Sequence, residues 1–388
     1  MLDASQGRIE PAIASYEQLL ALKPDDDFIL STLADLYVLQ GDLAKAVDLY
    51  HRMIQEEGPT SQLHFNLGVL YGRLERYDEA IQELSKAFEL SPESLEVRTA
   101  LGLTYELSGR YAQAAAHYEE AIQLDPLSPR LYHHTARAYF NGKQYDRAES
   151  NYAAVLDIAP RDFEAMMGLV RVWIAQLRFD KAETFLAKKL AELGEPAELY
   201  VALGIVYREA QQQEEALRAF ERAVARKADY AQGHFYLAAQ LDQLGQRAES
   251  RHSLERTLEL DPNHPDALNY LGYMDAEAGE HLAEAKGRIE RALELDPDNG
   301  AYMDSLGWVY YKMGRTQEAI LLLERAAELV GSDPVIFSHL GDAYFTAQDW
   351  DRARRNWEQA LTLDPAQTAV RERLKQLPAT TQETVTTP

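Results

Sequence analysis

One position returns through this chain at a fixed interval: Leu33, Leu67, Leu101, Thr135, Leu169, Leu203, Leu237, Leu271, Leu306 and Leu340. The interval is 34 residues throughout, except 35 between Leu271 and Leu306. Ten units in one register leave little freedom. A unit of this size cannot bury its apolar face alone, so it stacks on its neighbours in a quasi-one-dimensional array. The next position is small or short: Ala34, Gly68, Gly102, Ala136, Val170, Gly204, Ala238, Gly272, Gly307 and Gly341. Three residues further on stand Tyr37, Tyr71, Tyr105, Tyr139, Trp173, Tyr207, Leu241, Asp275, Tyr310 and Tyr344. The second half of each unit carries another small residue, at Ala46, Ala80, Ala114, Ala148, Ala182, Ala216, Ser250, Ala285, Ala319 and Ala353.

These choices have physical reasons. Two helices packed about 8–10 Å apart need small side chains where their axes come closest, with larger ones filling the space beside them. Glycine in the short turn, as at Gly41, Gly109 and Gly314, takes left-handed dihedrals cheaply. Many units close on proline (Pro92, Pro126, Pro160, Pro262, Pro297, Pro365), which disfavours helix in the preceding residue. The sequence therefore predicts an all-α fold of antiparallel helix pairs, a first helix A and a second helix B in each unit.

The pattern Leu-Gly-x-x-Tyr, then Ala, then Pro resembles the tetratricopeptide repeat family over roughly residues 7 to 365. The resemblance implies a right-handed superhelical solenoid whose A helices line a concave, partner-binding surface. Residues 1–26 are expected to hold only the second helix of a partial first unit, residues 27–365 ten units in one continuous solenoid, 366–377 a capping helix and 378–388 a disordered tail. Gly7, Ala12, Tyr16 and Pro24 match a second half-unit; this helix is a natural cap, or else, as the favoured expectation, the chain was cut from something longer. Val370, Leu374 and Leu377 form the inner side of the capping helix.

Composition narrows the function. Lys+Arg 39 against Asp+Glu 63 gives a net charge of -24, which opposes nucleic acid and anionic lipid. No apolar run reaches the roughly 18–20 residues of a membrane span, and the first residues lack the pattern of a signal peptide. The chain is read as cytoplasmic as it stands, or as envelope-associated if an upstream signal is missing. With no cysteine, disulfides and thiolate metal sites are excluded. His133 and His134 leave a helix on different sides, the other histidines lack ligand spacing, and no nucleophile turn or phosphate loop occurs. No cofactor, metal site or catalytic residue is assigned.

On positions matching the family's concave surface lie two clusters. Arg130, Arg137, Phe140, Arg171 and Arg208 make a basic strip, suited to carboxylates as bidentate pairs; alternatively these arginines pair with Glu96, Glu106, Glu164 or Glu198. Phe235, Tyr236, Tyr270, Tyr273, Trp308, Tyr311 and Phe345 place aromatic rings where solvent exposure is expected, and aromatic and Arg side chains carry much of the energy of interfaces; packing against the next repeat is the competing reading. The Lys and Asn set that clamps chaperone C-terminal carboxylates is absent, with Phe65, Val69, His133 and Arg137 at those positions. The asparagine ladder of the protein O-glycosyltransferase repeats is reduced to Asn66. The stretch from Ala267 to Arg315 resembles one common in bacterial repeat proteins, envelope lipoprotein adaptors included. The ninth unit departs from the pattern, with the extra residue near His281 and with Asp275 in place of Tyr; this is a lengthened turn with a solvated or locally bonded Asp, or else a hinge. The expected function is a scaffold or adaptor that holds a protein or peptide in its groove. The alternatives are a self-assembling array joined through its ends and the regulatory portion of a larger enzyme.

Overall fold

The computed structural model describes residues 9–377, which fall into two compact units divided after Ala182. The expectations for Gly7 and the tail at 378–388 lie outside the described residues.

The first unit begins with α1 (Ile9–Leu22) and continues through α2 (Asp27–Gln40), α3 (Leu43–Glu57), α4 (Ser61–Arg73), α5 (Tyr77–Leu90), α6 (Leu95–Leu107), α7 (Tyr111–Leu124), α8 (Pro129–Asn141), α9 (Tyr145–Ile158) and α10 (Phe163–Ala175). Helix α11 (Phe179–Leu193) carries the chain into the second unit. There follow α12 (Ala197–Glu209), α13 (Gln213–Arg226), α14 (Ala231–Gln243), α15 (Arg247–Leu260), α16 (Pro265–Ala278), α17 (Leu282–Leu295), α18 (Gly300–Lys312), α19 (Thr316–Leu329), α20 (Pro334–Thr346), α21 (Trp350–Leu363) and α22 (Thr368–Lys375). Within each unit successive helices pack as A/B pairs, and each B helix packs also on the next A helix.

The small residues on the B helices sit where the sequence requires close approach: Ala46, Ala80, Ala114, Ala148, Ala182, Ala216, Ser250, Ala285, Ala319 and Ala353 are all at 0% exposure. On the A helices the same constraint is steric. A Cβ on Gly102 would lie 2.5 Å from Tyr118 Cε1, and one on Gly341 2.3 Å from Trp357 Cδ1. The bulky B-helix ring occupies the room that glycine leaves, and both rings are fully buried. Such rings bury 150–250 Å² of surface each, so glycine here is a packing choice.

Side-chain caps start many A helices: Asp26 accepts from Ile29 N, Thr60 from Leu63 N, Ser94 from Val97 N and Asp162 from Ala165 N. The cap bond satisfies one of the four free amides of the first turn. Among the described residues the A–B turn is left-handed in each of the ten units from Gly41 to Gln348, with or without glycine. Gly41 and Gly314 have φ of 90° and 76°, but Glu75, Lys143, Leu177, Gln211 and Gln348 lie between 57° and 62° at the same register. Packing of the two flanking helices imposes a conformation that costs a non-glycine residue roughly 1–2 kcal/mol.

The signature tyrosines reach outward to the preceding B helix. Tyr37 Oη donates to Glu17 at 2.5 Å, and Tyr207 Oη to Glu183 at 2.8 Å. Burial and then the carboxylate push both phenols up to about 12. At the ninth unit Asp275 stands in that place. It is at 0% exposure, so it is not a solvated residue. Arg251 Nη1 donates to its Oδ1 at 2.6 Å and Arg288 Nη1 to its Oδ2 at 2.5 Å. The extra residue is absorbed beside it: α16 is one residue longer than its neighbour α18, and Gly279 and His281 are both left-handed, at φ of 70° and 47°.

Candidate functional site

The A-helix position two residues after each anchor leucine gives the face that the sequence singles out. In the first unit it carries Asp35, Val69 and Leu103, then Arg137 on α8 and Arg171 on α10; in the second it carries Ile205 and Ala239, then Tyr273 on α16, Trp308 on α18 and Asp342 on α20.

In the first unit Arg137 is already engaged. Its Nε donates to Glu106 Oε1 at 2.5 Å and its Nη2 to Glu106 Oε2 at 3.0 Å. This is the intramolecular alternative, realised with Glu106 among the four candidate acids. Tyr118 donates to the same carboxylate at 3.2 Å. Arg130 is exposed, with its Nε 3.4 Å from His134 Nε2. Arg171 is exposed and makes no ion pair among the described residues. Phe140 is half-buried against Tyr145. His134 stacks on Tyr118, and burial, reinforced by Arg137, lowers its pKa. Arg208 lies in the second unit, over the ring of Tyr236 at 5.7 Å.

The aromatic residues of the second unit come together around Trp308. The expectation that Trp308 is open to solvent is corrected: it is 6% exposed. Its indole is covered by His339 at 4.0 Å between ring centroids and by Tyr311 at 4.8 Å. Its Nε1–H donates to Glu277 Oε1 at 2.6 Å. The buried His339 is fixed by Asp304, Nδ1 to Oδ1 at 2.9 Å. Tyr273 faces His339 at 6.2 Å, and burial followed by Glu277 raises its phenol. Tyr273, Tyr311, Phe345, Phe235 and Tyr236 are all half-buried. Phe235 and Tyr236 serve packing, the first against His264 and the second stacked on Phe220.

Two cavities flank this stack. One, of about 420 Å³, is lined by Tyr270, Tyr273 and Met274 with Asp242, Arg247 and Glu277 at its edge. Tyr270 Oη donates to Asp242 at 2.8 Å. The other, of about 370 Å³, is lined by Trp308, Tyr311, Phe345, Trp357, Asp342 and Arg373. Trp357 Nε1–H donates to Asp342 Oδ1 at 3.0 Å, and Arg373 closes on Oδ2. Burial raises the Asp342 carboxyl above its ordinary value in spite of these donors. Sequence reasoning did not select the acids. The available signal was register, since Asp342 is equivalent to Trp308, and Asp242 to Tyr311.

Among the described residues no cluster of His, Asp and Glu could hold a metal ion, and no helix is long and apolar enough to cross a membrane.

An array of paired helices with an aromatic and charged A face defines a helical-repeat interaction scaffold. The chain belongs to the tetratricopeptide repeat family, which matches residues 59–126, 105–150, 143–204, 197–230, 240–281, 274–334 and 334–367. Residues 5–87 also match the family described as anaphase-promoting complex, cyclosome, subunit 3. The human protein O-mannosyl-transferase TMTC1 is 26% identical over 91 residues, which are 24% of this chain and 10% of that protein. The chain thus spans about a tenth of that relative's length. Among solved structures, the APC/C hetero-tetramer Cut9-Hcn1 matches with a TM-score of 0.50 at 15% identity, over 96% of this chain and 87% of that one. A tetratricopeptide repeat protein from Parabacteroides merdae gives a TM-score of 0.43 at 19% identity, over 62% and 94%. The likeness to Cut9-Hcn1 shows the fold alone. Arrays of this family are typically non-catalytic, and the chain is a protein–protein interaction scaffold.

Proposed function

We propose that the chain is an adaptor that seats a segment of a protein partner on the A-helix face of its second unit, across Tyr273, Trp308, Tyr311 and Phe345. The observation that carries this reading is the Trp308 stack, held rigid by Glu277, His339 and Asp304 between two open cavities. Rigid aromatic groups beside concave pockets lose little entropy on binding, which is why they concentrate binding energy. Arg130 and Arg171 form a separate cationic surface in the first unit, suited to carboxylates; Arg137 is committed to Glu106.

Trp308 is too buried for its truncation to report on binding alone, so Tyr311→Ala and Phe345→Ala are the useful variants. A partner captured by the full chain, then purified and measured by calorimetry, is expected to lose at least tenfold in affinity to the Tyr311→Ala/Phe345→Ala chain, about 1.4 kcal/mol. Arg171→Ala should leave it within about twofold. The reverse order would move the interface to the first unit, and equal binding by all variants would remove it from both A faces.

A further inference from the structure

The cavity between α18, α20 and α21 has four aromatic walls, Trp308, Tyr311, Phe345 and Trp357, and one acid at its floor. The Asp342 side chain is 8% exposed, and burial dominates its titration even with Arg373, Trp357 and His339 close by. A carboxylate so desolvated needs an opposite charge held in good geometry, because attraction otherwise fails to offset the desolvation. Arg373 meets this need only in part, because its side chain is 43% exposed. It is carried by α22, a helix of 8 residues at the end of the described chain, docked through Val370, Leu374 and Leu377. A second cation of the chain, Lys312, lies over the Trp308 ring at 4.9 Å. The site thus already shows its chemistry: an ammonium over an indole face and a guanidinium on a buried carboxylate, contacts that strengthen as water is excluded.

We propose that this cavity recognises a Lys or Arg side chain of a protein partner, and that Arg373 is a displaceable internal occupant with which the partner's cation exchanges. Its biological use rests on the reading of the second unit's A face as the partner surface. Charge favours the cation over an acidic anchor. An incoming carboxylate would compete for Arg373 and bring a second anion beside the buried Asp342, within a chain of net charge -24.

The experiment needs no partner. The full chain has four tryptophans, and their indole N–H resonances report on Trp308 and Trp357, with Trp173 in the first unit as an internal control. The probe is N-acetyl-arginine amide; N-acetyl-citrulline amide, of the same shape but uncharged, is the comparison. In Arg373→Gln the arginine probe is expected to shift Trp357 and Trp308 with at least tenfold tighter binding than in wild type, leaving Trp173 unmoved. The citrulline probe should shift nothing. Adding Asp342→Asn to Arg373→Gln should abolish the shift. If that double variant fails to fold, Tyr311→Ala on Arg373→Gln serves instead and should weaken the probe at least threefold.

The proposal is overturned by an unmoved Trp357 at ~10 mM probe, by equal shifts from citrulline, or by equal affinity in wild type and Arg373→Gln. Stronger shifts from N-acetyl-aspartate amide would overturn it in favour of an anion site. A captured partner lost by Tyr311→Ala/Phe345→Ala, with no arginine binding at Trp357, removes this inference and leaves the partner surface standing. Probe binding at Trp357 with a partner indifferent to Tyr311 and Phe345 does the opposite.

Discussion

The A-helix faces of the two units fill the same register differently: its last two positions in the first unit are arginines, and its last three in the second are two aromatic rings and an acid. In the first unit it presents Arg137 and Arg171, and the acid beneath Arg137 is neutralised within the unit. In the second unit it presents Tyr273, Trp308 and Asp342, with the buried Asp304 and Asp342 and the exposed Glu277 pinning the rings. The scaffold beneath is shared: small B-helix residues at zero exposure and left-handed turns occur in both. The repeat therefore sets where a side chain points, and the individual residue at that point sets the surface. Partner chemistry can change from one pair to the next with no change of fold.

The largest expected effects test the shared part. Trp357→Ala in the second unit and Tyr118→Ala in the first each empty the space against an A-helix glycine, at Gly341 and Gly102. Each should cost about 3–5 kcal/mol in urea unfolding of the full chain. Markedly unequal losses would mean that the two units do not share one packing logic.

Next in size is the signature position itself. Asp275→Ala leaves Arg251 and Arg288 without their buried acceptor and should cost roughly 1.5–3 kcal/mol. Its register equivalent in the first unit, Tyr71, shares a 2.8 Å hydrogen bond with His51. Tyr71→Phe should cost about 1 kcal/mol. An Asp275→Ala loss no greater than that would show the charged bridge to be replaceable by water.

Acid separates the units in direction. In the first, burial works against ionised Glu83, but Lys86 and His64 outweigh it and hold its carboxyl below the ordinary range. Stability from Glu83 is therefore present above about pH 4.3, the ordinary Glu value, and lost as pH falls through the lower folded value. Asp342 is raised instead. Its protonated form favours folding below about pH 3.9, the ordinary Asp value, and that contribution is lost as pH rises through the folded value. In melting curves between about pH 3 and pH 7, Glu83→Gln should converge with wild type on acidification. The gap between wild type and Asp342→Asn should move in favour of the variant as pH rises. Parallel profiles for the two variants would break the contrast.

The smallest effect tests the turns. Glu75→Gly and Gln348→Gly relieve left-handed backbone and should each stabilise by about 0.5–1 kcal/mol, the same in both units. A loss at either site would show that its side chain has contacts outweighing the strain.

Much of the site was legible because register fixes direction on a helix. Tyr273, Trp308, Tyr311 and Phe345 occupy A-helix positions that the 34-residue period identifies without coordinates. The buried polar groups were not selected, because nothing local distinguishes Asp304, His339 and Asp342 from the many solvated polar residues of an acidic chain. Their burial comes from partners distant in sequence, such as Asp304 and His339, 35 residues apart. The same holds for Asp275, whose two arginines lie 24 residues before it and 13 after.

The sequence by itself determined the helices, their pairing and the faces they bury, since small, aromatic and capping residues recur at one period and each acts over a few residues. Only the tertiary structure decided which polar side chains are dry, which arginines are already paired and how far Trp308 is covered. It also decided that non-glycine residues take left-handed turns, where helix packing overrides local preference. Those outcomes depend on contacts between neighbouring repeats, whose strength is set by burial and partner geometry and not by residue type.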